Sequence, residues 1–373
     1  MNETHNRPVV VGVDAGGTRS RACLVEAVRP TAPGGPWQAG EVLGRGSGGP
    51  GNALSVCRAD LTRHLTEAVG EALAEAEAAD PGVRGRLAAA YGGFAGAAQG
   101  LGPERGEELA QDCLRAALAA HGAPGVPVAA GGDIDVALAA APGAPADGLV
   151  LIAGTGAIAA RIGDRRRAAV SDGHGWLLGD EGSGYWLGNH GVRAALEALD
   201  GRGPWTGLVP RVAGYFLPER FAAGEPGGEP GDGATPAVPG GEPGRDGRGQ
   251  GGLDGLDRLG GPERHRLSEA IVSAAYALPP VRLAALSTAV AEAAAEGDPV
   301  AAGLLDTAAD LLAGTVRSLD PRPGDPLVAT GGLLAPGGPL LDRVTERLAG
   351  HGLRVFAVPD GSQGAAALAC TLL

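Results

Sequence analysis

Five short segments carry residue types that can handle phosphate and hydroxyl groups. Asp14-Ala15-Gly16-Gly17-Thr18 follows a run of β-branched residues. Glycine puts no Cβ between the backbone and a ligand, so a row of N–H groups there can hold an anion. Thr18 adds a hydroxyl. Asp14 suits Mg²⁺ held through water, because Mg²⁺ keeps several of its waters. The bland reading of the same residues is a hairpin turn. Gly154-Thr155-Gly156 follows a second apolar run. With Ala157-Ile158-Ala159 it also fits the dinucleotide fingerprint GxGxxA, but that fingerprint needs a long helix next, and here a short apolar run ends at Gly163-Asp164. Asp133 lies between a strand pattern and a short helical one. It serves there either as a helix N-cap or as the general base for a substrate hydroxyl. Asp135 is its competitor but falls inside the helix. The segment Ser171 to Ser183 alternates glycines with the acceptors Asp172, His174, Asp180 and Glu181. Sugar hydroxyls are bound by carboxylates and backbone groups of this kind. Asp180 and Glu181 also sit where a helix begins and would complement its dipole. Trp176 reads as a core residue and His174 as a polar turn residue. Last, Ala329-Thr330-Gly331-Gly332 would let a planar base approach the backbone, or simply turn the chain.

Each segment needs a strand that ends on it. Val9 to Val13 and Ala22 to Val25 read as a hairpin. Glu41 to Arg45 is a third strand, and Asn52 is the expected N-cap of a helix reaching about Ala79. Leu87 to Phe94 and Val126 to Ala130 read as strands, Pro103 to His121 and Ile134 to Ala141 as helices. The pattern then restarts with Leu149 to Ala153, Ala157 to Ile162 and Ala168 to Val170. Two copies of strand, Gly/Thr turn, strand therefore begin near residues 9 and 149. Residues 224–262 are dominated by Gly and Pro and are expected to form a disordered or loosely ordered insertion. The remainder reads as helical from Glu263 to Leu319, then as strands Leu327 to Ala329 and Leu353 to Val358, with a last helix after Gly361.

The chain has 373 residues, enough for two domains. Its net charge of −13 argues against nucleic-acid backbones and anionic membranes as partners. No run reaches the roughly 18 apolar residues of a membrane span, and no secretory leader pattern opens the chain, so a cytoplasmic location is expected. Cys23, Cys57, Cys113 and Cys370 lack metal-ligand spacing and read as scattered thiols. There is no lysine anywhere. That excludes a GxxxxGK[ST] phosphate loop, a lysine Schiff base and a lysine-dependent protein-kinase site.

Taken in order, VGVDAGGTRSRACLV, GGPGNAL, GGDIDVALAAA, LIAGTGAIAARI, SDGHGWLLGDEGSGYWLG and VATGGLL resemble the N-acetylglucosamine/glucosamine kinase branch of the BadF/BadG/BcrA/BcrD ATPase family, within the actin-like sugar kinase and heat-shock ATPase superfamily. The resemblance implies an α/β fold of two actin-like (ribonuclease H-like) domains with a cleft between them. They would be residues 1–142, completed by helix 360–373, and residues 143–359 carrying the insertion. ATP and Mg²⁺ are the implied cofactors. Asp14, Gly16, Gly17 and Thr18 would form the first phosphate segment and Gly154, Thr155 and Gly156 the second. Gly331 and Gly332 would lie at the adenosine. Asn52, Asp133, Gly173, His174, Gly175 and Asp180 would contact an amino sugar, with Asp133 as base. Whether a homodimer forms stays open.

Two departures matter. Eukaryotic members of the branch carry Gly-Trp-Gly where this chain has Gly173-His174-Gly175, and a glycine where it has Asp172. An added carboxylate favours a cation, so the sequence leans toward glucosamine, protonated at neutral pH, over N-acetylglucosamine. ROK-type glucokinases expect a cysteine-rich zinc motif that these four cysteines do not supply. A partner-driving ATPase of the reductase-activator type would need closely spaced cysteines for an iron–sulfur cluster. A non-catalytic sugar sensor would not need Asp133 and both Gly/Thr segments.

Overall fold

The computed structural model describes residues 7–29, 35–97, 102–219 and 255–373. The expected insertion, 224–262, lies mostly outside them. Its last residues form a short turn at Leu256–Arg258 and the start of a helix at Gly261.

The first sheet contains β1 (Val9–Ala15), β2 (Ser20–Val28), β3 (Gln38–Gly48), β4 (Leu87–Phe94) and β5 (Val128–Gly132), in the order β3-β2-β1-β4-β5. The second contains β6 (Gly148–Ala153), β7 (Ala157–Gly163), β8 (Arg166–Asp172), β9 (Pro326–Thr330) and β10 (Arg354–Ala357), in the order β10-β9-β6-β7-β8. In each, three strands run as an antiparallel meander and two more add in parallel beside the first strand. Read from opposite edges the two sheets have one topology, which is the duplication seen at residues 9 and 149.

Alternation along β1 decides what covers each face. Val9, Val11, Val13 and Ala15 join a core with α1 (Arg58–Ala79) and α2 (Gly106–Ala120), including Leu61, Leu65, Leu73, Leu109 and Leu114. Val10 on the other face joins Cys23, Val25, Ala366, Ala369 and Cys370, so the C-terminal helix, here α10 (Ser362–Ala369), packs on the first sheet. Gly12 makes that approach feasible. A methyl at position 12 would overlap the backbone of Ser362 and Ala366. Gly12→Ala is expected to cost about 1–3 kcal/mol. It should lower the urea midpoint at unchanged m-value; an unchanged midpoint would contradict this seating of α10.

The short helix α3 (Asp133–Ala139) lies between the two layers. Ile134, Ala137 and Leu138 pack with Val150, Ala160, Ile162 and Val328 of the second sheet, while Val136 and Ala139 pack with Ala365 and Leu368 of α10. Helix α1 begins later than expected, at Arg58 with Cys57 as N-cap. The reason is local. The Asn52 side chain accepts the Leu54 N–H (2.9 Å) and its carbonyl accepts those of Ser55 and Val56, a separate turn that delays the helix.

The chain separates into two compact units, Met1–Glu181 with Ala309–Leu373, and Gly182–Ala308. Both sheets belong to the first. The expected boundary at 142 therefore falls inside one compact unit. The second unit is helical. It holds α4 (Gly184–Leu199), α5 (Leu208–Phe216), α6 (Gly261–Tyr276) and α7 (Ser287–Ala295). Ahead of β9 and α9 (Leu341–Leu348), helix α8 (Pro299–Arg317) spans the boundary between the two chain segments. It is long and apolar enough by composition to cross a membrane. Ala301, Ala308, Leu312 and Val316 are buried in the protein along one of its faces.

Candidate active site

The predicted residues gather where the parallel strands end. Asp14 lies near the carboxyl end of β1, Asp133 directly follows β5, Gly154 follows β6 and Gly331 follows β9. Open α/β sheets bind ligands outside those ends. Asn52 is tied to the same edge, because Ala53 N–H donates to Ala95 O and Ala95 N–H donates to Ala15 O, both at 2.9 Å.

Strand β1 extends through Asp14 and Ala15, since β2 and β4 both pair with them. One Asp14 oxygen accepts the Gly361 N–H at 2.8 Å. Burial, outweighing that hydrogen bond, together with the nearby Asp360 and Asp133 carboxylates, pushes the Asp14 pKa up to about 7. An ionised Asp14 costs stability above its pKa, and a bound cation would relieve that cost. The donor set, carboxylate oxygens, suits a hard cation such as Mg²⁺. Among the described residues no His/Cys/Asp/Glu cluster forms a multi-ligand metal cage.

Asp360 was not singled out in the sequence. It is buried, its Oδ1 accepts the Ser362 N–H (2.9 Å) and hydroxyl (2.5 Å), and it stands beside Asp14. The only signal was a Pro-Asp-Gly turn before the last helix.

Gly16, Gly17 and Thr18 form the tip of the β1–β2 hairpin. Gly16 N–H donates to Arg19 O and Gly16 O accepts from Gly51 N–H, both at 2.9 Å. Gly17 and Thr18 are exposed, and open space lies where a side chain at Gly17 would project. The second hairpin closes with Gly154 N–H donating to Gly156 O at 2.9 Å, again with open space at Gly154. The short β7–β8 turn follows, so the helix needed for a dinucleotide fingerprint is absent there. Gly331, at φ 92°, presses against the Ala153 backbone, and Leu333 N–H donates to Ala153 O at 3.1 Å. The Gly331-Gly332 turn and the second Gly/Thr hairpin are therefore immediate neighbours.

Asp133 occupies the first turn of α3, after Gly132 as N-cap, so it is not itself the cap. One of its oxygens accepts the Ile134 N–H at 2.9 Å. Burial raises its pKa, opposed by that hydrogen bond and by the Arg167 guanidinium. Asp135 is engaged differently. Its Oδ2 accepts the Gly132 N–H at 3.3 Å and its Oδ1 faces Arg167 Nε at 3.8 Å, with no hydrogen bond of its own. Asp135 thus holds the turn on which Asp133 stands.

The Ser171–Ser183 segment is organised by Asp172. At φ 63°, Asp172 turns the chain back so that its two oxygens accept the Asp180 and Glu181 N–H groups, each at 2.8 Å. Carboxylates holding two backbone amides are clamps first. The charge that suggested an amine partner is already engaged. Asp180 in turn accepts from the Ala157 and Gly175 amides; burial, and less so the Asp172 carboxylate, raise its pKa against those bonds. A methyl at Gly156 would approach Asp180 Oδ2 to 2.8 Å. The acidic loop is thereby pinned to the second Gly/Thr hairpin. His174 is exposed, between Gly173 and Gly175, both at positive φ. Two sequence readings change here. Trp176 is 41% exposed instead of core, because Gly175 and Gly179 close a turn that turns residues 176–178 outward. Asp180 and Glu181 precede helix α4, whose cap is the buried Ser183, accepting the Trp186 N–H at 3.1 Å.

Comparison with known proteins bears on the fold and the family. A protein of Chromobacterium violaceum provisionally named an N-acetylglucosamine kinase superposes with TM-score 0.62 at 22% identity, over 98% of this chain and 99% of that one. One of Porphyromonas gingivalis with the same provisional name gives 0.58 at 20% identity, over 96% and 97%. Both likenesses show a shared α/β fold. A curated N-acetylmuramic acid/N-acetylglucosamine kinase of Clostridium acetobutylicum is 43% identical over 60 residues, which is 16% of this chain and only a fifth (20%) of that protein. The model of the BadF/BadG/BcrA/BcrD ATPase family matches residues 11–369, nearly the whole sequence, and the chain belongs to that family.

Proposed function

We propose that this protein transfers the γ-phosphoryl group of ATP to the 6-hydroxyl of an amino sugar, with N-acetylglucosamine as the favoured acceptor. The observation that carries the reading is Asp133, a half-buried carboxylate with raised pKa at the carboxyl edge of the first sheet, beside Asp14. Asp133 would orient the sugar hydroxyl and take its proton as transfer proceeds. The Gly16–Thr18 and Gly154–Gly156 hairpins would bind phosphate oxygens through backbone N–H groups and the Thr18 and Thr155 hydroxyls. Gly331 and Gly332 would accommodate the adenosine. Asn52, Gly173, His174, Gly175 and Asp180 would position the sugar. Asp14 would hold Mg²⁺ through water, and Mg²⁺ would supply neutralising charge at the phosphates. We also infer that the two sheets are the cores of two actin-like domains, 1–142 with 360–373, and 143–359.

Asp172 bears on the acceptor. A carboxylate that already clamps two amides gives a glucosamine ammonium little extra attraction, which favours the N-acetylated sugar. The second reading, glucosamine, rests on the residual negative charge of Asp172. ADP release from Mg-ATP, measured with N-acetylglucosamine, glucosamine, glucose or no sugar, separates them. Strong stimulation by N-acetylglucosamine is expected. Stimulation by glucosamine alone would restore the sequence-based preference. Sugar-independent hydrolysis would favour a partner-driving ATPase.

A further inference from the structure

A cavity of about 290 Å³ opens beside the edge of the first sheet, lined by Arg19, Arg21, Arg45, Glu71, Asp360 and Ser362 among others. Three guanidiniums around one small cavity are unexpected in a chain of net charge −13. The two carboxylates there are already engaged. Glu71 Oε2 accepts the Ser47 N–H (2.9 Å) and hydroxyl (3.3 Å). Asp360 Oδ1 accepts from Ser362, and its Oδ2 faces Arg21 Nε only loosely, at 3.9 Å. Arg45 makes no ion pair among the described residues, although its own backbone N–H is held by Glu75 at 2.9 Å. Arg45 therefore brings to the cavity a cationic charge that no described carboxylate pairs with, and Arg21 one that is paired only loosely.

Strand geometry explains the clustering. Arg21 and Arg45 lie on neighbouring antiparallel strands, Arg21 opposite Ser47 and Arg45 opposite Cys23, so they are two residues apart on one face. That face is the one α10 covers further along β1 and β2, and Ser362 begins that helix. Guanidiniums bind phosphate oxygens in paired, charge-assisted hydrogen bonds. The volume is at the lower end for small-molecule sites, enough for a phosphate on a small hydroxylated body.

We propose that this cavity, which adjoins the Gly16–Thr18 turn through Arg19, is a second anion site that takes a phosphate monoester through Arg21 and Arg45. The chemistry shared by its ligands is a dianionic phosphate on a small polar molecule, and free phosphate is the minimal form. The inference does not depend on the kinase reading, because it concerns binding in the absence of any reaction.

The test is calorimetric titration of the full chain with inorganic phosphate and with glucose 6-phosphate, each with and without saturating ADP. Saturable binding of both probes that persists with ADP is expected, weakening as salt rises. Arg45→Ala should lower both affinities at least about tenfold, and Arg45→Lys should lose less. Arg45 is exposed, so both variants should keep the parent melting temperature. Absence of saturable binding, loss of binding when ADP is present, or unchanged affinity in Arg45→Ala would each overturn the proposal. Binding of free phosphate without glucose 6-phosphate would overturn the phosphate-monoester assignment.

Discussion

Asp133→Asn is expected to lower kcat by about 10²–10⁴-fold, the usual contribution of a positioned general base, with KM for the sugar changed far less. Asparagine keeps the side-chain oxygen that accepts the Ile134 N–H. The fold should therefore survive while the proton acceptor is lost. The pH dependence has a definite sign. Burial raises the Asp133 pKa above the ordinary carboxylate value, and the base acts only when deprotonated. Activity in kcat/KM should fall on the acid side at a pH higher than an exposed aspartate would give, and that limb should vanish in Asp133→Asn. Turnover within a few-fold of the parent would remove Asp133 from the role of base.

Asp172→Ala is expected to lower kcat/KM by about 10²-fold through misplacement of the loop, since shifts of an ångström at positioning residues have effects of that size. The variant frees the Asp180 and Glu181 amides that Asp172 now holds. Asp180 is itself bonded to Ala157 at the second Gly/Thr hairpin, so the disturbance spreads to the phosphate side. If Asp172 is a clamp, activity toward glucosamine and N-acetylglucosamine should fall in parallel. A selective loss of glucosamine activity would instead make Asp172 the amine partner. Kinetics with both sugars on one preparation decide between these outcomes.

The contrast between these two aspartates shows what sequence carries. The position of Asp133 was legible because a strand pattern and a helix pattern meet there. The strand ends that present Gly16, Gly154 and Gly331 were legible for the same reason. β-branched runs stopped by glycines fix both the sheet and its carboxyl edge. The duplicated topology followed from the restart near residue 149.

The clamp made by Asp172 could not be read from the sequence, because it depends on a left-handed backbone and on amides eight and nine residues ahead. Neither is visible in residue types. Asn52 is a similar case. Its side chain bonds Leu54 locally, and that competing turn displaced the helix start to Arg58. Asp360 needed the fold, because only the packing of α10 on β1 brings it to Asp14, about 350 residues away in sequence. Trp176 reads as core by type, yet a glycine-bounded turn exposes it with Leu177 and Leu178.

The most direct measurement is the fate of the γ-phosphoryl group. The protein is incubated with Mg-ATP and N-acetylglucosamine, and the products are resolved by phosphorus NMR. The account predicts a phosphate monoester on the sugar 6-oxygen, formed in equal amount with ADP, and almost none from Asp133→Asn. ADP accompanied by inorganic phosphate, with no sugar ester from any amino sugar, would contradict it.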